Sequence, residues 1–105
     1  MTSLLLLPGD GIGPEVTAES RRILDALALP GLDISEGPFG GASIDAHGVP
    51  LTAETEARAL SSTAVLMGAV GGPKWAGVSY DIRPEAGLLK LRESMNVFAN
   101  LRPAR

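Results

Sequence analysis

Four side chains toward the C-terminal end have the types and spacing to grip a small branched acid. Glu85, Leu88, Leu89 and Arg92 recur at i, i+3, i+4 and i+7, so on a helix they project from one face. A carboxylate at one end, a guanidinium at the other and two leucines between them make an odd core stripe. Such a face suits a ligand with a branched hydrocarbon group and a carboxylate, which arginine holds in a two-point fork. Ten residues beyond Arg92, in what reads as an extended segment, Arg102 is placed to bind the same anion from another side. The competing reading is a half-buried helix with solvated ends, and spacing alone leaves both open.

Two glycine-rich turns are the other places for chemistry. Gly9-Asp10-Gly11-Ile12-Gly13 follows an apolar run, but its third glycine comes one residue too early for the G-x-G-x-x-G dinucleotide fingerprint. Closely spaced glycines before a helix can bring backbone N–H groups against an anion or a planar ligand. They serve equally well as a tight strand-to-helix turn with no ligand. Gly71-Gly72-Pro73-Lys74-Trp75 also follows an apolar run. Loops beyond the carboxyl ends of strands in open α/β sheets carry function, and Lys74 offers a positive charge there. The bland alternative is a surface loop with Trp75 folded onto the core.

The elements that must position these residues follow from hydrophobic patterning. Residues 4–7, all leucine, read as a strand covered on both faces, as in a parallel sheet. Pro14 and Glu15 suit the first turn of a helix, which Val16, Ile23, Leu24 and Leu27 extend to about Leu29 as one buried stripe. Residues 32–36 make a second strand and complete a strand–helix–strand unit. Residues 37–50 read as loop with one helical turn near 42–46, and Thr52 caps a helix to about Ser61. Residues 64–70 form another continuous apolar strand, and a last helix starts near Pro84, with Leu91 and Met95 on its core side.

Bulk properties narrow the function classes. At 105 residues the chain has room for one modest core. A net charge of −3 argues against a general nucleic-acid binder or a basic membrane-surface helix. With no cysteine and one histidine, His47, neither disulfides nor thiolate or His-rich metal sites are available. The leucine run is too short for a secretory signal and no basic residue precedes it, and no stretch is long enough to span a bilayer. A cytoplasmic location is the expectation.

In order along the chain, four blocks resemble one family, the β-decarboxylating dehydrogenases of isopropylmalate, isocitrate, homoisocitrate and tartrate. Pro8-Gly9-Asp10-Gly11-Ile12-Gly13-Pro14-Glu15 looks like its opening signature. Phe39-Gly40-Gly41-Ala42-Ser43-Ile44-Asp45 and Gly71-Gly72-Pro73-Lys74-Trp75 are similar to the isopropylmalate branch. The most specific block runs from Arg83 through Arg92 and continues in Phe98-Ala99-Asn100-Leu101-Arg102-Pro103-Ala104. The resemblance implies an α/β fold with a parallel-sheet core and flanking helices. The 105 residues would be the incomplete N-terminal part of the first, cofactor- and substrate-binding domain. The second domain and the C-terminal part of the first would be absent.

By the same resemblance, Arg92 and Arg102 match arginines that bind the malate carboxylate, and Leu88 and Leu89 match leucines that contact the isopropyl group. Glu85 matches a glutamate between that group and the nicotinamide. Gly72, Pro73, Lys74 and Trp75 open a cofactor loop that runs to Glu85, and Ile12 falls near the adenine. The implied reaction is NAD-dependent oxidative decarboxylation of 3-isopropylmalate to 4-methyl-2-oxopentanoate in leucine biosynthesis. It uses Mg2+ or Mn2+ as Lewis acid, in a homodimer. Two leucines in place of a polar group disfavour isocitrate, whose third carboxylate would be costly to desolvate there.

The family's catalytic tyrosine, catalytic lysine and metal-binding aspartates lie beyond the last matching block. Tyr80 sits in the cofactor loop, and Asp10, Asp25, Asp33, Asp45 and Asp81 match no metal position. No catalytic residue and no metal ligand is therefore assigned to this chain, which is expected to be inactive alone. Its sheet edges and apolar faces are expected to be uncovered. The alternatives are a sister enzyme acting on another alkylmalate or tartrate, and a stand-alone domain that binds a small anion or a protein partner.

Overall fold

The computed structural model describes residues 2–104. A three-stranded parallel sheet carries the fold, in the order β2-β1-β3, with β1 spanning Thr2–Gly9, β2 Leu32–Glu36 and β3 Ala64–Ala69. Leu4 lies opposite Ile34 of β2, and Leu6 opposite Leu66 of β3. The central position of β1 explains its uninterrupted leucines. A middle parallel strand is covered on both faces, and Leu5, Leu6 and Leu7 are fully buried.

Side chains alternate across the sheet. Leu5 and Leu7 join Phe39, Leu51, Ala59 and Leu91 in the main core, with Val65 and Met67 of β3 packed against it. That core is closed by α3 (Ala53–Ser61) and α4 (Pro84–Ser94). Thr52 caps α3 as expected, its hydroxyl accepting the N–H of Thr55 at 3.1 Å. Leu6 belongs to the opposite face, where α1 (Gly13–Leu27) lies against β1 and β3.

Four sequence expectations need correction. Helix α1 stops at Leu27, not Leu29, because Ala28 turns into the left-handed region at φ 47°. Its apolar stripe is not buried. Val16, Ile23 and Leu27 are 48%, 63% and 59% exposed, and the buried positions of α1 are Gly13 and Thr17. The helix meets the sheet through Gly13 and Thr17, Leu24 is half-buried, and the other large apolar residues of the stripe stay largely exposed. The run at 64–70 was expected to be a buried strand, but β3 is an edge strand that leaves Leu66 37% exposed. The fourth correction is α2, which extends over Gly41–His47 rather than a single turn. The carboxylate that caps it comes from Asp10, 31 residues away, where local pattern reading cannot see it.

A groove of about 440 Å3 runs between α1 and β3, lined by Leu4, Ile23, Leu24, Val65 and Leu66. Exposed apolar grooves beside open strand edges drive association. Sedimentation velocity on the 105-residue chain should therefore show mass rising with concentration. A monodisperse monomer with a cooperative melt would overturn this. Among the described residues, no helix is long and apolar enough to cross a membrane.

Candidate functional site

The carboxyl ends of β1 and β3 lie side by side, with the Asp10 N–H donating to the carbonyl of Ala69 at 2.7 Å. The chain leaves β1 toward β2 on one side while β3 lies on the other, and such a switch point opens a crevice beyond the strand ends. The Asp10 carboxylate sits in that crevice and accepts three backbone N–H groups. Oδ2 takes those of Gly41 at 2.7 Å and Gly71 at 3.1 Å, and Oδ1 takes that of Ala42 at 2.7 Å. One side chain thus joins the first glycine turn, the start of α2 and the loop after β3. A hollow of about 410 Å3 lies among these segments, lined by Gly11, Gly41, Asp45, Gly71, Lys74 and Trp75 among others. Sequence reasoning passed over Asp10 as a residue between glycines. The available signal was its type, a short acceptor with two oxygens set among donor-rich turns. Its partners 31 and 61 residues away are set by tertiary structure.

The loop after β3 folds its tryptophan onto the core and leaves its lysine exposed. Trp75 is buried, its indole lying flat where a Cβ on Gly41 would collide with the ring, so only glycine fits at that position. Lys74 reaches Asp45 on α2 at 2.9 Å and stands 4.8 Å from the centre of the Trp75 ring. Both partners of that ion pair are largely exposed, and such pairs contribute only about 0–1 kcal/mol, so the ammonium is available to an incoming anion. Farther on, the Arg83 guanidinium donates to the carbonyls of Val78 at 3.0 Å and Ala76 at 3.1 Å, folding the loop back on itself. The Ser79 hydroxyl donates to Asp81 at 2.8 Å and, with Asp81's own backbone, holds that exposed carboxyl below the usual aspartate range.

Gly72, Trp75, Ala76, Tyr80, Arg83 and Glu85 line a cavity of about 230 Å3 inside this loop. The Glu85 carboxylate reaches back over Gly71, with Oε1 2.6 Å from where a Cβ on that glycine would sit. Of the expected cofactor residues, Gly72, Trp75 and Glu85 therefore share one cavity. Pro73 and Lys74 line the neighbouring hollow, together with Gly72 and Trp75. Ile12 stands apart, 63% exposed in the turn before α1 and outside the lining of both.

Helix α4 places the expected substrate residues as follows. Leu91 and Met95 face the core, and Pro84 and Gly87 are buried. Glu85 and Arg92 are exposed and Leu89 is 53% exposed, so these three share the outward side. Leu88 is at the border, half-buried and packed on the core cluster. Arg92 lies about 10 Å along the helix from Glu85 and lines a separate hollow of about 310 Å3 with Val97, Phe98, Asn100 and Leu101. Arg102 is outside that lining, on the exposed tail, with its Nε donating to the side chain of Asn100 at 3.2 Å. Among the described residues no group of three His, Asp or Glu side chains is arranged to hold a metal ion.

Comparison with known proteins agrees with this architecture. The parallel sheet flanked by helices is similar to part of a β-decarboxylating dehydrogenase from Thermococcus kodakarensis. That structure superposes with a TM-score of 0.74 at 29% identity, over 91% of this chain and 27% of the other. An isocitrate dehydrogenase from Methylococcus capsulatus superposes with a TM-score of 0.76 over 91% of this chain and 26% of its own, and at 24% identity shows the fold alone. The family model for isocitrate/isopropylmalate dehydrogenase matches residues 3–105, and the chain belongs to that family. It is 64% identical to the 3-isopropylmalate dehydrogenase of Caulobacter vibrioides over 99% of its own length, and spans 29% of that relative.

Proposed function

We propose that this chain forms the N-terminal part of the first domain of a 3-isopropylmalate dehydrogenase. It would bind NAD at the loop after β3 and the substrate along the outer side of α4. The observation that carries the reading is the outward side of α4, where Glu85 lines the loop cavity, Arg92 lines the second hollow and Leu89 is free between them. Family membership and the Caulobacter relative support the substrate.

In this reading Arg92 and Arg102 hold the malate carboxylate, and Leu88 and Leu89 contact the isopropyl group and penalise a charged substituent. Gly72, Pro73, Lys74, Trp75 and Glu85 meet the dinucleotide, and Ile12 its adenine end. The 230 Å3 cavity holds part of such a cofactor, with polar groups at its rim. When bound, NAD supplies the hydride acceptor. In this reading the Mg2+ or Mn2+ that acts as Lewis acid is held by residues outside this chain, and none of its own side chains is assigned to the metal. The product 4-methyl-2-oxopentanoate, the place in leucine biosynthesis, the homodimer and the cytoplasmic setting belong to the same proposal.

The test is a chimera in which this chain replaces the matching 104 residues of the Caulobacter relative. Expected is Mg2+- or Mn2+-dependent NAD reduction with 3-isopropylmalate. An inactive but folded chimera would sink the reading, and turnover of isocitrate instead would sink the substrate assignment.

A further inference from the structure

We propose that Asp10 is a positioning residue that sets the Gly71–Gly72 turn for dinucleotide binding, acting through backbone amides. The proposal deepens the reading of the loop after β3 as the NAD site and rests on it. The reason lies in how few other ties this turn has. Among the described residues, the Gly71 amide has the Asp10 carboxylate as its partner, at 3.1 Å. Gly72 carries no side chain, and Lys74 is held by an exposed ion pair. The same carboxylate oxygen accepts Gly41, whose backbone supports the Trp75 ring. Both walls of the hollow are therefore referenced to one group. Hydrogen bonds to an ionised carboxylate are roughly twice as strong as neutral ones. A glycine pair without them has wide backbone freedom.

Three donors on one carboxylate make the prediction specific. Asp10→Ala removes all three bonds. Asp10→Asn keeps one carbonyl oxygen, which can serve Gly41 and Gly71 from the Oδ2 position, while its amide N–H group then confronts the Ala42 N–H. Amide hydrogen exchange on the 105-residue chain should show Gly41, Ala42 and Gly71 protected together. Asp10→Ala should expose all three, and Asp10→Asn Ala42 first. In the Caulobacter chimera, Asp10→Ala should raise KM for NAD about tenfold, as for a site in its binding form about a tenth of the time. The kcat and the KM for 3-isopropylmalate should stay within about twofold, and Asp10→Asn should recover most of the NAD affinity.

Unchanged protection of the three amides in Asp10→Ala would overturn the clamp. Lost protection with an unchanged KM for NAD would overturn its role in binding, as would an equal rise in both KM values. If Asp10→Ala fails to fold, the Asp10→Asn pattern decides, and exposure of Gly71 ahead of Ala42 would count against the proposal. An unmodified chimera without activity would strike the functional reading, while the exchange result would still judge the clamp.

Discussion

Phe39→Ala should destabilise the chain by about 3–5 kcal/mol, the usual cost of emptying a fully buried phenylalanine site. Phe39 comes from the irregular segment between β2 and α2, yet it has no exposed surface and sits among Leu5, Leu7, Leu51, Ala59 and Leu91. Its neighbours cannot collapse easily into the gap. The Pro38 carbonyl accepts the Thr55 hydroxyl at 3.2 Å, and the Gly40 N–H donates to the Pro50 carbonyl at 2.9 Å, so the backbone is pinned on both sides. Whole domains are stable by about 5–15 kcal/mol, so this one change removes a large share. Urea unfolding at low protein concentration measures it through the midpoint at unchanged slope. Leu89→Ala is the control, because a half-exposed leucine should cost under about 1 kcal/mol. A Phe39→Ala midpoint matching that control would refute the assignment of the core.

Arg92→Ala, made in the Caulobacter chimera, should lower kcat/KM for 3-isopropylmalate by about 30-fold to a few thousand-fold. That range corresponds to roughly 2–5 kcal/mol for truncating one partner of a desolvated charge pair. Arg92→Lys should recover only part, since a lysine presents a point charge in place of the two-point fork. The stability readout should not move, because the Arg92 side chain is exposed and makes no hydrogen bond among the described residues. A loss confined to KM for NAD, or a fall below about threefold, would remove Arg92 from the substrate site. The geometry also guides the choice of position for testing the alkyl preference. Leu88 packs on the core, so changing it mixes stability with specificity, whereas Leu89 is free enough to report specificity alone.

Much of this protein is determined by local sequence. The four leucines before Pro8, the proline–glutamate pairs opening α1 and α4, and Thr52 before α3 state their roles through short-range chemistry. Side-chain period, a missing N–H and a cap each act within a few residues. The outward set of Glu85, Leu89 and Arg92 was legible for the same reason, since helical spacing fixes which residues share a face.

Other features were decided only by tertiary structure. Periodicity marks the stripe of Val16, Ile23 and Leu27 as apolar but cannot say what covers it, and in the fold its residues are about half exposed. The strand order makes β3 an edge, which an apolar run does not announce. Leu88 divides its surface between core and exterior because α4 joins the core cluster through Leu91 and Leu88 packs at that cluster's edge, a matter of packing. Asp10 is the clearest case. Its partners are backbone amides, which every residue but proline possesses, so no side-chain pattern could single out Gly41, Ala42 and Gly71. The parallel pairing of β1 with β3 brings Gly71 to the carboxylate, and the segment that follows β2 on the other side of β1 brings Gly41 and Ala42.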